Sequence, residues 1–236
     1  LHLDVAIAGA GPSGIHAATV LARNDYRVAI FERDLQVGGG IWGGGMLLPR
    51  IVIQEEAKDV LQQLGVRLDA RESGLYTADS VEAVSKSVAA AIDAGVRVWV
   101  GMEVEDVIIR EQDRVAGVVI NWGAVRYADL HVDPLGIDAK VVIDATGHPA
   151  EVTTRLLRKI PNAKLNDGAT SVPGEKPMWA ERAEETLVAN TKEVYPGLIT
   201  CGMCAHAVAA SPRMGAIFGG MFRSGERAAE IAMEVL

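Results

Sequence analysis

Apolar runs of strand length alternate with stretches of helical periodicity along most of this chain. Residues 3–8 form a short apolar run, residues 15–24 a helical stretch and residues 27–32 a second strand. Val81, Val84, Val88, Ala91 and Ile92 recur at helical spacing, which predicts a helix over 80–94. Strands are predicted at 96–100, 103–110 and 115–122, and a buried strand at 140–147 ends in Ala-Thr-Gly. Helices follow at 151–159 and 181–193, then a last strand at 197–201, a loop running to Arg213 and a closing helix at 218–233. Tyr195-Pro196-Gly197 reads as a turn, and 164–177, rich in Pro, Gly, Asn and Asp, as a mobile loop. This alternation predicts an α/β protein, with 1–236 forming a single dinucleotide-binding domain.

Composition narrows the function classes. A hydrophobic fraction of 49% with 23% charged residues suits a folded enzyme and excludes global disorder. The net charge of −8 and the absence of a basic cluster argue against a nucleic-acid surface. No run reaches the apolar length of a membrane span, and no signal peptide is expected ahead of the opening strand. The two cysteines, Cys201 and Cys204, are too few for a disulfide framework, which fits a reducing cytoplasm.

The first forty residues carry a specific signal. Gly9-Ala10-Gly11-Pro12-Ser13-Gly14 joins the first strand to the first helix, and Glu32 ends the second strand 18 residues past Gly14. This is the G-x-G-x-x-G fingerprint in the setting it requires. Gly9 permits a tight turn, Gly11 lets a pyrophosphate approach the backbone, and Gly14 lets the helix pack on the strand. Free N–H groups at the helix start favour phosphate, and Glu32 can accept ribose hydroxyls. Residues 38–46 then read Gly-Gly-Gly-Ile-Trp-Gly-Gly-Gly-Met, six glycines in nine residues. Glycine at that density costs chain entropy, so the backbone is expected to pass close to something bulky, with Trp42 as its ligand contact.

Four further groups could carry chemistry. His131 and Asp133 project to one face of an extended segment that Pro134 keeps extended. Spacing alone leaves two readings open, a divalent metal such as Fe(II) or a hydrogen-bonded turn. His148 follows the Ala-Thr-Gly strand end, where open α/β sheets bind ligands. Arg213 precedes a Gly-rich helix entrance and could clamp a carboxylate or phosphate, the alternative being a surface ion pair. Cys201-Gly202-Met203-Cys204 is a weak zinc or dithiol signal, and packing is its simpler reading. His2, His16 and His206 default to structural or solvated roles.

The element order resembles the two-dinucleotide-binding-domain flavoprotein fold of the glutathione reductase-like type. Seven stretches together resemble the thiamine thiazole synthase family: 9–14, 38–46, 119–122, 131–134, 144–148, 178–181 and 213–221. The resemblance implies that NAD is consumed as a substrate. Nicotinamide leaves, the ADP-ribose opens to a ketose, glycine condenses, sulfur enters, and ring closure yields an ADP-linked thiazole carboxylate. It further implies that Ser13, Glu32, Arg33, Gly40, Val104 and Met203 contact NAD or its derivatives and that Arg213 holds the glycine carboxylate. Asp133 and His148 would bind Fe(II) from neighbouring protomers of a homo-octamer.

His131 stands where the fungal and plant branch of the family carries a cysteine that surrenders its sulfur. Imidazole has no sulfur to give, so the chain resembles the archaeal-type branch, which uses free sulfide and turns over repeatedly. His131 would then orient intermediates or shuttle protons. Competing readings are a small flavin-dependent oxidoreductase, a ribose-phosphate isomerase, and a nucleotide- or iron-binding storage or sensor protein.

Overall fold

The computed structural model describes residues 2–44 and 47–236; Leu1, and Gly45 and Met46 of the glycine run, lie outside the described residues. The chain begins β1 (His2–Ala8), α1 (Pro12–Arg23), β2 (Val28–Glu32), β3 (Arg50–Gln54) and α2 (Glu55–Gln63). It continues through β4 (Asp69–Ala70), β5 (Leu75–Asp79), α3 (Ser80–Asp93), β6 (Arg97–Val100), β7 (Met102–Ile109) and β8 (Val115–Trp122). Then come α4 (Gly123–Tyr127), β9 (Leu135–Asp144), α5 (Glu151–Lys159), α6 (Ala180–Asn190), β10 (Lys192–Tyr195) and β11 (Leu198–Thr200). Two helices, α7 (Met203–Val208) and α8 (Gly219–Val235), close it.

The main sheet runs β10-β11-β9-β1-β2-β6, with the β7–β8 hairpin joined to β9 through β8. From β11 to β6 neighbouring strands are parallel. Both faces of that parallel core are covered, so β1 and β2 are apolar nearly throughout, as such strands must be. Successive side chains of β1 serve opposite layers. Val5 and Ile7 pack with Ile15 and Leu21 of α1 and Ala228 and Ile231 of α8, while Ala6 and Ala8 face Val118, Ile120 and Leu156. The helices α1 and α8 meet closely because Gly225 carries no side chain: a Cβ there would lie 2.4 Å from the Ser13 carbonyl oxygen.

The predicted elements are present, several of them with shifted ends. The first helix starts at Pro12, three residues before the expected start, with proline in its first turn. The strand expected at 140–147 begins at Leu135, because residues 135–138 find antiparallel partners on β8. It ends at Asp144, whose side chain turns the chain away. The helix expected to reach residue 193 stops at Asn190, and Lys192–Tyr195 instead forms a hairpin with β11 around the Pro196-Gly197 turn. The expected loop before Arg213 contains the buried helix α7. Unforeseen altogether is a second sheet, β3-β5-β4, which with α2, α3 and α8 encloses Ile51, Ile53, Leu61, Phe218 and Phe222. The irregular segment 164–177 is pinned by Asn166, which bonds to Val194 and Glu193, and by Lys176, which bonds to Ser211. Among the described residues no helix is long and apolar enough to cross a membrane.

One buried carboxyl makes stability depend on pH. Glu184 of α6 accepts the side-chain amide of Gln54 and the backbone amide of Gly220 at the start of α8, while its other oxygen is buried without a partner. Burial pushes its pKa up from 4.5 to about 7. The folded chain therefore holds this proton more tightly than the unfolded chain. The resulting stabilisation is complete below pH 4.5 and is lost as pH rises through about 7. Glu184→Gln is expected to flatten that slope in urea unfolding and to stabilise the protein at alkaline pH by about 3 kcal/mol. An unchanged pH profile would contradict this.

Candidate active site

The carboxyl ends of β1, β2, β9 and β11 lie on one edge of the sheet, because those strands are parallel. Beyond that edge opens a cleft of ≈ 810 Å³, where open α/β sheets take their ligands. The fingerprint loop forms its floor. Gly9 sits at φ +100°, and a Cβ there would lie 2.5 Å from the Ala145 carbonyl oxygen. A Cβ on Gly11 would meet nothing within 4 Å, so that backbone is open to the cleft. Gly14 faces away from it and packs on Gly9. No side chain caps the N-terminus of α1, which leaves its first amides for an anion. The buried Ser13 hydroxyl beside them lacks a partner of its own.

Glu32 braces this loop as well as facing the cleft. Its two oxygens accept the amides of Ala10 at 2.7 Å and Asp34 at 2.9 Å, each oxygen keeping a lone pair for a ligand hydroxyl. Arg33 pairs with Glu151 at the rim. Val104 and Met203 give the cleft apolar walls. Glu103, unanticipated from sequence, is a buried cleft carboxylate between Arg155 at 3.0 Å and Arg126 at 3.1 Å.

The glycine run divides its work. Gly39 and Gly40 line the cleft. Gly38 and Gly44 serve the backbone instead, at φ +105° and +57°, with no room for a Cβ. The expectation for Trp42 is not met. Its indole N–H finds a partner in the Val37 carbonyl at 2.5 Å, which turns the ring toward Val84 and the apolar cluster around Ile51 and Phe222, away from the cleft.

Asp144, fully buried at the end of β9, fixes the next turn. It accepts the Thr146 hydroxyl at 2.6 Å and the Thr153 amide and hydroxyl at 2.9 and 2.8 Å. The loop so held carries His148 to the cleft wall. There the Nδ1 of His148 meets Glu175 Oε2 at 2.5 Å.

Arg213 reaches the cleft from the loop between α7 and α8. Two backbone hydrogen bonds position it: its amide donates to Lys176, and its carbonyl accepts from Trp179. No carboxylate among the described residues lies within ion-pair distance of its guanidinium, so the surface ion pair does not form. Cys201 and Cys204 are buried free thiols, and burial pushes both well above the ordinary thiol range. Packing is their role. His16 and His206 are also buried, with burial lowering both; His16 falls to about 4 beside Phe222.

Two site expectations fall outside the cleft. His131 and Asp133 lie 3.8 Å apart on an irregular segment before β9, with side chains 99% and 97% exposed. The chain does not bring Asp133 to the cleft that His148 lines.

The fold and cleft define a mixed α/β protein with a largely parallel sheet, in which a glycine fingerprint loop and an arginine without a carboxylate partner among the described residues line one cleft. Among proteins, the chain matches the model of the Thi4 family over residues 1–218 and belongs to that family. It is 53% identical to the thiamine thiazole synthase of Methanosarcina barkeri, covering all of this chain and 90% of that protein. It is 51% identical to the thiamine thiazole synthase of Pyrococcus furiosus, covering 100% and 89%. The crystal structure of Thermovibrio ammonificans THI4, 47% identical, superposes with a TM-score of 0.94 over 99% of this chain and 89% of that one. These relationships place the chain among the enzymes of thiamine thiazole biosynthesis.

Proposed function

We propose that this enzyme builds an ADP-linked thiazole carboxylate from NAD, glycine and free sulfide, with Fe(II), over multiple turnovers. The observation that carries the reading is the convergence of the fingerprint loop, Glu32, His148 and Arg213 on one cleft large enough for a dinucleotide. The N-terminus of α1 and Ser13 receive the diphosphate, and Glu32 takes the adenosine ribose hydroxyls from its braced position. Val104 and Met203 flank the nucleotide, and Arg33 closes the rim. Arg213, free of other partners, holds the glycine carboxylate as a two-pronged donor.

His148 fits a metal role because Glu175 occupies only its Nδ1, leaving Nε2 to act as a ligand. Among the described residues no three His, Cys, Asp or Glu side chains of one chain converge on a metal. The family resemblance implies Asp133 of a neighbouring protomer in a homo-octamer as the second ligand, and we adopt that assignment. The exposed apolar side chains around it, Trp122, Tyr127, Leu130 and Leu135, support burial against a partner. His148 and Asp133 would hold an Fe(II) ion that, when bound, would supply Lewis acidity at this end of the cleft. His131, beside Asp133, orients the intermediates or relays protons.

Free sulfide as the donor is supported by the resemblance that puts His131 where the other branch carries its donor cysteine, and by the burial of both thiols. We place the reaction in a reducing cytoplasm, which keeps those thiols free. We also assign the finer fold type, glutathione reductase-like; the Ala-Thr-Gly strand end on the cleft and the packing of α8 on α1 support it. The Cys201→Ala/Cys204→Ala double variant, supplied anaerobically with NAD, glycine, sulfide and Fe(II), is expected to form the ADP-thiazole beyond one equivalent per chain. Loss of product in a folded double variant would return the sulfur to a cysteine.

A further inference from the structure

We infer that Glu175 is a positioning residue for His148: its carboxylate keeps the imidazole proton on Nδ1 and so aims Nε2 at a divalent metal in the cleft. The inference rests on the metal role proposed above for His148.

The contact is not an exposed ion pair of the kind that contributes little. The Glu175 side chain is 10% exposed against 48% for His148, so the carboxylate lies behind the ring, on its protein side. Its Oε2 stands 2.5 Å from Nδ1, while its Oε1 is buried with no partner. A carboxylate buried with one oxygen unsatisfied costs free energy, and closing a loop does not require one. What it does uniquely is accept. A carboxylate accepts hydrogen bonds and donates none, so the ring nitrogen facing it must carry the hydrogen. In neutral imidazole the lone pair then sits on Nε2, which no hydrogen bond of the described residues occupies. A carboxylate on the far nitrogen is the general means of fixing the tautomer and orientation of a metal-binding histidine.

The backbone makes the arrangement rigid. Lys176, next to Glu175, donates its amide to the Ser211 carbonyl at 2.9 Å and accepts the Arg213 amide at 3.1 Å. One loop-to-loop bridge therefore locates both the carboxylate behind His148 and the guanidinium that faces the cleft. The backbone of His148 is fixed independently, by the Asp144 hydrogen bonds to Thr146 and Thr153.

Nitrogen NMR of labelled histidine in the metal-free full chain tests this without any variant. His148 is expected as the Nδ1–H tautomer, and finding the Nε2–H tautomer would overturn the inference. Glu175→Gln should shift His148 toward the Nε2–H form. It should also weaken Co(II) binding, read by visible absorption, roughly 10–100-fold with an unchanged thermal midpoint. Glu175→Asp, which keeps the charge, should recover part of that affinity. Wild-type tautomer and wild-type Co(II) affinity in Glu175→Gln would overturn the inference even if His148→Ala abolishes binding. If His148→Ala instead binds Co(II) as the wild type does, the metal role of His148 is what fails.

Discussion

Arg213→Ala is expected to lower glycine-dependent thiazole formation about a thousandfold while leaving nicotinamide release from NAD nearly intact. Arg213 faces the cleft with no carboxylate partner among the described residues, and its backbone is held on both sides. A glycine carboxylate bound by both guanidinium prongs gains two charge-assisted hydrogen bonds of about 2 kcal/mol each. Together they correspond to roughly three decades at about 1.4 kcal/mol per decade. Arg213→Lys keeps the charge but loses the fork and should fall between the two. Product formed at saturating NAD with varied glycine measures the effect. A wild-type glycine dependence in Arg213→Ala would move the carboxylate site elsewhere.

The second large effect concerns the metal. Asp133→Ala and His148→Ala should each reduce Fe(II)-dependent product formation by about three orders of magnitude, the several kcal/mol that a Lewis acid contributes. Neither side chain supports the core: Asp133 is almost fully exposed and His148 about half exposed, so both variants should fold. Co-assembled oligomers of the two variants are the sharper measurement. If His148 of one protomer meets Asp133 of its neighbour, mixed oligomers regain intact sites and recover a fraction of wild-type activity. Mixed oligomers as inactive as either parent would show that the site is not shared in this way.

What could be read from the sequence follows the range of the interactions involved. The β1–α1–β2 unit was legible because its glycines, helix start and terminal acid act within one short stretch of chain. Helix α5 coincides with its predicted span, and β8 with its own, because each completes a strong local pattern. The second sheet was not legible: β3 and β5 are five residues each and only partly buried, and their pairing supplies what their patterns lack. The same reason hid the first residues of β9, where the alternating Leu135-Gly136-Ile137-Asp138 needs β8 beside it.

At the site, residue types predicted by chemistry reached the cleft where a strand end or helix start delivered them, as with Ser13, Glu32, His148 and Arg213. Trp42 failed because a glycine run signals close approach without saying to what, and the neighbour proved to be Val84 and its own protein core. Glu175 and Glu103 carried no signal. Glu175 lies in a loop without periodicity, 27 residues from the histidine it meets, and Glu103 is distinguished only by the two arginines that the fold brings to it.

Whether free sulfide is the repeatedly used sulfur source can be decided with isotopically labelled sulfide. The purified enzyme would be incubated anaerobically with NAD, glycine, Fe(II) and labelled sulfide, and both product and protein weighed by mass spectrometry. Several equivalents of ADP-thiazole per chain, each carrying the label, are expected, with the protein mass unchanged. A single unlabelled equivalent, accompanied by a protein lighter by one sulfur atom, would contradict free sulfide as the donor.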